Sequence, residues 1–398
     1  MSSLMDVDVL STYLDHAATT PMHPEALDAM RPWQETHFAN PSGSHRAARL
    51  ARQAVDEARE VIASSLGVNS GDVVFTGGGT ESDNYAISGS VRSRGGLAVC
   101  SAIEHHAVLD PVQHHGGTTV AVSCDGQIDT DDLRAVLNRA LSTGQEISVV
   151  SVMTVNNEVG SVNDIAEVAA IVRELAPDAW LHTDAVQAAC WIDLPKITQH
   201  VDLLSLSAHK FGGPKGVGLM VVSNGATPEP ILLGGGQERG RRSGTIDVAG
   251  AVGAAAALNV TTLTRTETSN RVRLLRDDLL DALLEIDGVH ETVSRSVTAP
   301  GIAHICVDDL DSEALLFMLD EADVYASAAS ACASGAMESS HVLSAIGVAD
   351  ELRNGALRLS LGHSTSANEI DRAVSAITNS ITSLRNRRAA RKQRATCE

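Results

Sequence analysis

The sequence predicts an α/β protein built on a mainly parallel sheet, and two features of the chain lead to this class. Short apolar runs alternate with longer amphipathic stretches along the 398 residues, as expected when each strand is followed by a covering helix. Only 3% of the residues are aromatic although 43% are hydrophobic, so Ala, Val, Leu and Ile must fill the interior, which is typical of parallel strands buried between helices. A chain of this length exceeds what one hydrophobic core usually supports, so we expect two domains.

The charge and the cysteine distribution narrow the class of protein further. Fifty acidic residues against thirty basic ones give a net charge of -20, which repels phosphate backbones and argues against a direct nucleic-acid binder. The first ten residues lack the apolar region of a signal peptide, and the longest run of low polarity, 248–258, is too short to span a bilayer. The six cysteines show neither metal nor disulfide spacings, so we expect a reduced, cytoplasmic protein with no membrane partner.

The stretch from residue 201 to 222, VDLLSLSAHKFGGPKGVGLMVV, predicts two buried strands joined by a glycine-rich loop. Lys210 follows the first of these strands, so the sheet fixes its stem and the amine reaches the edge where open α/β sheets bind ligands. Most lysines are simply exposed to solvent. A functional role for Lys210 therefore depends on what the other strand ends carry.

A second strand end, in TGGGTESDN, predicts a phosphate site. Three glycines lead into a helix that we expect to begin at Thr80, so bare backbone N–H groups and the positive end of the helix dipole converge there. The motif lacks the lysine of a P-loop and the spacing of the dinucleotide fingerprint. The alternative is a tight turn in which Thr80 only caps the helix.

Three more strand ends carry polar side chains: His105, Asn157 and Asp184. Because the carboxyl ends of parallel strands share one edge of a sheet, we expect these residues to lie close to Lys210. The pair formed by His105 and His106 could ligate a metal ion, but no Cys or Asp at metal spacing accompanies it, so we predict no metal site.

Together these groups favour a pyridoxal phosphate site over a nucleotide site. A lysine forms a Schiff base with this cofactor, and a carboxylate keeps the pyridine nitrogen protonated so that the ring can accept electrons. A phosphate cradle completes the set of contacts that the cofactor requires.

Ten motifs between Tyr13 and Gly362 resemble, in order and spacing, those of the cysteine desulfurases of the NifS/IscS type. They are YLDHAATTP, ANPSGSH, TGGGTESDN, EHHAVL, VNNEVG, HTDAVQ, SAHKFGGPKGVG, GGGQERGRRSGT, SAASACASG and LRLSLG. The resemblance implies a homodimer with the fold type I (aspartate-aminotransferase-like) architecture, in which residues 17–262 form the large cofactor domain and residues 1–16 with 263–398 form the small one. It also implies pyridoxal phosphate as the cofactor and conversion of L-cysteine into L-alanine.

The resemblance further implies a role for each matching position. Lys210 would carry the cofactor, His105 would stack on its ring and move protons, and Cys332 would receive the sulfur as a persulfide. Arg358 would bind the substrate carboxylate with help from Asn40. The remaining cofactor contacts would come from Gly79, Thr80, Asn157, Asp184, Gln187, Ser207 and His209, and from Thr245, which would reach the phosphate bound by the other subunit.

Cys332 also has a simpler interpretation, since a lone cysteine is more often a small buried hydrophobe than a nucleophile. It lies in a run of small residues at about 326–336 that offers little apolar area, which predicts a mobile loop in the small domain. Such a loop would let the thiol reach substrate and then a sulfur-acceptor protein, either an iron-sulfur scaffold or a tRNA-thiolation enzyme. The alternatives are a selenocysteine lyase and a non-catalytic sulfur-transfer or scaffold-binding homologue.

Overall fold

The computed structural model describes residues 11–328 and 340–395, with side chains as far as residue 390. The strands, in chain order, are β1 (Thr12–Tyr13), β2 (Val73–Thr76), β3 (Leu97–Ser101), β4 (Thr118–Val120), β5 (Ile147–Ser151), β6 (Trp180–Asp184), β7 (Leu203–Ser207), β8 (Gly218–Val222), β9 (Val289–Glu291), β10 (Ile302–Val307), β11 (Val324–Tyr325) and β12 (Ala356–Ser360). The helices are α1 (Pro24–Glu35), α2 (Arg46–Leu66), α3 (Gly79–Arg94), α4 (His106–His114), α5 (Thr130–Ser142), α6 (Ile165–Leu175), α7 (Pro195–Thr198), α8 (Val248–Leu284), α9 (Ser312–Asp320), α10 (His341–Ala345), α11 (Asp350–Arg353) and α12 (Ala367–Ala395).

A seven-stranded sheet in the order β2-β8-β7-β6-β5-β3-β4 forms the centre of the fold. Adjacent strands from β4 to β7 pair in parallel, whereas β8 pairs antiparallel with both β7 and β2. The predicted α/β class is therefore confirmed. The two strands expected within residues 201–222 are present and pair directly with each other, with Leu203 opposite Val222.

A second, smaller group of strands lies beside this sheet. β12, β10 and β9 form an antiparallel sheet, and β1 pairs in parallel with β11. The start of the chain joins this group, because Asp15 forms a bridge with Ser360 and Leu14 packs in its core.

Helix α8 has 37 residues, from Val248 to Leu284. It begins at Val248, where the Asp247 carboxylate accepts a hydrogen bond of 3.0 Å from Gly250 N–H. Its glycines are tolerated because α8 packs closely on α1: a Cβ at Gly253 would lie 2.5 Å from the sulfur of Met30. The apolar run 248–258 is thus the first part of a packed helix, and in the described ranges no helix is both long and apolar enough to cross a bilayer.

α8 also connects the two hydrophobic cores. Val248–Leu258 contributes to the core around the large sheet, and Val272, Leu279 and Leu283 contribute to the core around β10 and β12. The helix passes residue 262 without a break, so the division of the chain at 262/263 stays a prediction.

Candidate active site

The polar strand ends meet in one cleft at the carboxyl edge of the large sheet. The cleft has a volume of about 190 Å³. Its lining includes most of the predicted site residues, namely Gly79, Thr80, His105, Asn157, Asp184, Gln187, Ser207, His209, Lys210 and Arg358. The expectation that Lys210, His105, Asn157 and Asp184 are neighbours is therefore met by the geometry.

One end of the cleft is a glycine turn between β2 and α3. Gly78 has φ 153° and ψ 180°, a conformation open only to glycine. Gly218 on β8 faces this turn, and a Cβ there would lie 2.4 Å from Thr76 Oγ1 and 2.5 Å from the Gly78 carbonyl. The first N–H groups of α3 have no intrahelical acceptor, so the turn presents them, with Ser207 and His209, to a wide opening beside the cleft.

A carboxylate and a guanidinium hold this turn in place, and the sequence did not reveal either role. Glu81 Oε2 accepts a hydrogen bond of 2.7 Å from Gly77 N–H. Arg242 donates to both oxygens of Glu81, at 2.8 and 3.1 Å. Because Glu81 and Arg242 are 161 residues apart, no local motif could have paired them.

Asp184 lies at the end of β6 and is 5% exposed. Its Oδ1 accepts a hydrogen bond of 2.8 Å from Val186 N–H. Burial raises the pKa of this carboxyl, while the charges of His105 and Lys210 and the Val186 N–H act in the opposite direction.

His105 caps helix α4 with its ring. Its Nδ1 accepts a hydrogen bond of 3.0 Å from Ala107 N–H, so the proton of the neutral imidazole lies on Nε2. Burial lowers the pKa of His105, which favours this neutral form, and the carboxylate of Asp184 opposes the shift. His105 can therefore donate a hydrogen bond from Nε2–H into the cleft.

Lys210 points toward the chain segment that follows β1. Its Nζ donates to the carbonyl oxygens of Ala17 and Ala18, at 2.6 and 2.8 Å. Gln187 Nε2 donates to the same Ala17 oxygen at 2.8 Å, and His209 Nδ1 lies 3.2 Å from Thr19 Oγ1. Residues 17–19 thus form one wall of the cleft and position three of its polar side chains.

Arg358 enters the cleft from β12 and is 5% exposed. One terminal nitrogen donates to Asn157 O at 2.8 Å, and the other donates to Asp15 Oδ1 at 2.7 Å. Its Nε is buried without a hydrogen-bond partner among the described residues, so the guanidinium retains a donor for an incoming acceptor. Asp15 belongs to the first of the ten motifs, but the sequence did not indicate that it anchors Arg358.

Two of the predicted site residues that the structure describes lie outside the cleft. Asn40 is exposed outside the cleft, where its Oδ1 accepts from Ser42 N–H at 2.9 Å. Thr245 is also exposed, in the loop before α8. Cys332 lies outside the described residues. In residues 11–328 and 340–395, no three histidine, cysteine or acidic side chains are grouped as metal ligands would be.

Comparison with known proteins agrees with this geometry. The family described as aminotransferase class-V matches residues 12–373. An IscS-like cysteine desulfurase of Mycobacterium tuberculosis is 41% identical over 392 residues, which is 95% of this chain and 98% of that protein. A solved NifS-like protein has a TM-score of 0.87 at 30% identity and covers 94% of this chain and 100% of its own. The structure of SspA in complex with cysteine has a TM-score of 0.74 at 29% identity, over 88% and 99% of the two chains.

The fold is that of the pyridoxal phosphate-dependent α/β enzymes. The chain belongs to the class-V aminotransferase family and, within it, to the cysteine desulfurases.

Proposed function

We propose that this protein holds pyridoxal phosphate on Lys210 and converts L-cysteine into L-alanine, leaving the sulfur as a persulfide on Cys332. The observation that carries the proposal is the convergence of an amine, a buried carboxyl group and the N-terminus of α3 on one cleft. The similarity to a protein solved with cysteine supports the choice of substrate.

The described residues fit the cofactor. The turn at Gly78 and Gly79 offers backbone donors for a phosphate, Asp184 offers an acceptor for a protonated ring nitrogen, and His105 lines the same space. When bound, pyridoxal phosphate supplies an electron-withdrawing ring that stabilises negative charge at the Cα of an amino acid.

Arg358 would bind the carboxylate of the substrate. A guanidinium can donate two parallel hydrogen bonds to a carboxylate, which an ammonium group cannot. Asp15 and the Asn157 carbonyl already fix its orientation, so little side-chain freedom remains to be lost on binding. Asn40, which lies outside the cleft of its own chain, would assist Arg358.

The reaction balances without an external oxidant or reductant. The amine of Lys210 would take the Cα proton and return it before alanine leaves, and the Cys332 thiolate would attack the sulfur of the bound cysteine. The carbon-sulfur bond breaks, a sulfur-sulfur bond forms, and the carbon keeps the electron pair and gains a proton. His105 would supply that proton from Nε2, because its Nδ1 accepts a hydrogen bond from Ala107 N–H.

We further propose that the enzyme is a homodimer and that a sulfur-acceptor protein of iron-sulfur cluster assembly or tRNA thiolation removes the persulfide. Thr245 lies outside the cleft of its own chain and is exposed, as a contact with the cofactor phosphate of a second subunit requires.

The test compares the wild-type protein with Lys210→Ala and Cys332→Ser after incubation with pyridoxal phosphate and L-cysteine. Lys196→Ala and Cys124→Ser are matched controls, because both side chains are exposed away from the cleft. We expect Lys210→Ala to lose the visible absorption of the bound cofactor and alanine release together. Cys332→Ser should keep the absorption, because a hydroxyl leaves the cofactor site intact, but it should release no alanine.

Mass spectrometry should find one additional sulfur atom on the wild-type peptide that contains Cys332. Alanine release at the wild-type rate by either variant, or the additional sulfur on Cys100, Cys124 or Cys190, would contradict the proposal.

A further inference from the structure

A second carboxyl group is buried next to Asp184 and has no part in the function proposed above. Asp83 lies on α3, lines the same cleft and is 1% exposed. Its Oδ1 is 3.7 Å from His182 Nε2 and has no hydrogen-bond partner among the residues that the structure describes. A buried oxygen without a partner costs about 1 to 3 kcal/mol, so its protonation state needs an explanation.

His182 cannot neutralise a charge on Asp83. Its Nδ1 lies 2.8 Å from Ser151 Oγ and its Nε2 lies 3.0 Å from Ser205 Oγ, so both nitrogens have hydroxyl partners. Burial lowers the pKa of His182 to about 3, which makes the ring neutral at ordinary pH.

The other titratable groups that face Asp83 are also acidic. They are Asp184, from the end of β6, and Glu104, from the loop after β3. Glu104 is completely buried; one of its oxygens accepts from Met153 N–H at 2.7 Å. Burial and then the charge on Asp184 raise the pKa of Asp83 well above its usual value.

Two neighbouring carboxyl groups in such a site do not both ionise, because their repulsion is strong in a low dielectric. Asp184 is the better anion of the two. It accepts a backbone N–H and faces His105 and Lys210, whereas within the described part of the chain the ionised form of Asp83 would have the Ser205 hydroxyl as its one donor.

We propose that Asp83 is a positioning residue that keeps its proton in the folded protein, so that Asp184 bears the single negative charge of this pair. The contact of Asp184 with the cofactor rests on the proposed function, whereas the protonation of Asp83 and the negative charge of Asp184 do not. As a neutral acid, Asp83 donates to Ser205, Ser205 donates to His182 Nε2, and His182 Nδ1–H donates to Ser151 Oγ. This uncharged chain fixes the surroundings of Asp184 without adding a second charge to the cleft.

The first measurement is infrared spectroscopy of the full-length protein at neutral pH, with and without pyridoxal phosphate. The difference between wild type and Asp83→Asn should contain the carbonyl stretch of a protonated carboxyl group, and carboxyl-labelled aspartate should shift that band. Asp178→Asn is the control, because its side chain is exposed and does not line the cleft, so the substitution should leave the band of the protonated carboxyl group unchanged. Loss of a carboxylate band in Asp83→Asn would overturn the proposal.

The second measurement is the pH profile of the absorption of the bound cofactor in Asp83→Asn and Asp83→Ala. The amide is neutral and similar in shape to the protonated acid. In Asp83→Asn the absorption of the bound cofactor should therefore change at the same midpoint pH as in the wild type. Asp83→Ala removes the donor to Ser205 and should shift the midpoint by roughly one pH unit. A shift of the same size in Asp83→Asn would show that Asp83 is ionised in the wild-type protein, and this result would refute the proposal.

The two measurements separate this inference from the proposed function. If the wild-type protein bound no pyridoxal phosphate, the proposed function would fail while the infrared result still decided the protonation of Asp83. If Asp83→Ala did not fold, the infrared spectrum and the pH profile of Asp83→Asn would still decide it.

Discussion

Replacing His304 by glutamine should make the stability of the protein less sensitive to acid. His304 lies on β10 opposite Arg358 of β12 and is 3% exposed. Its Nδ1 is 2.7 Å from Thr292 Oγ1, and its Nε2 is buried without a partner among the described residues. Burial, and secondarily the charge of Arg358, lower the pKa of this imidazole to about 3.

The sign and the size of the effect follow from this lowered pKa. Below a pH of about 6.5 the unfolded chain takes up a proton at His304 whereas the folded chain does not, so falling pH favours the unfolded state. Between about pH 7 and about pH 5 this single group should remove about 2 kcal/mol from the free energy of unfolding. Glutamine can keep a hydrogen bond to Thr292 but does not titrate in this range.

The assay is urea unfolding of the wild type and of His304→Gln at several pH values in this interval. The difference in the free energy of unfolding between the two proteins should change by about 2 kcal/mol in favour of the variant as the pH falls. His37→Gln serves as the control, because water solvates that exposed side chain in both states. A constant difference between wild type and His304→Gln across the interval would refute the burial argument.

Three further substitutions test the cleft itself. Asp184→Ala should change the absorption of bound pyridoxal phosphate and lower alanine release by about 100-fold or more, because the ring nitrogen loses its anionic partner; an unchanged spectrum and rate would make Asp184 purely structural. Arg358→Lys should raise the KM for cysteine roughly tenfold in steady-state kinetics, since a lysine cannot make two parallel bonds to a carboxylate, and an unchanged KM would remove Arg358 from the substrate site. Gly218→Ala would bring a Cβ to 2.4 Å from Thr76 and 2.5 Å from Gly78, so cofactor affinity measured by equilibrium dialysis should fall; wild-type affinity would mean that the turn can shift freely.

The sequence was sufficient to predict the site residues that lie at or near the ends of buried strands. Asp184 is the last residue of a buried strand, and His105 and Lys210 lie a few residues after the ends of two others. A parallel sheet brings the carboxyl ends of its strands to one edge. The glycine turn was equally clear, because only glycine allows the conformation found at Gly78.

The features of the site that could not be predicted from the sequence are contacts between distant parts of the chain. Glu81 and Arg242, or Asp15 and Arg358, meet only after the sheet has formed, so local patterns carry no trace of the pairing. Asp83 was detectable in principle, because it follows Thr80 by three residues and such positions share a helix face. The burial of Asp83 beside Asp184 could not be detected from the sequence, because it depends on how α3 packs on β6.

The continuity of α8 has a consequence for cutting the protein into pieces. The helix has 37 residues and therefore extends about 55 Å. A fragment that ended at residue 262 would expose the severed end of this rod and would remove the residues that it buries in the second core, Val272, Leu279 and Leu283. Limited proteolysis should therefore fail to release the large-sheet portion as a stable product, and expression boundaries placed at this position should yield insoluble protein.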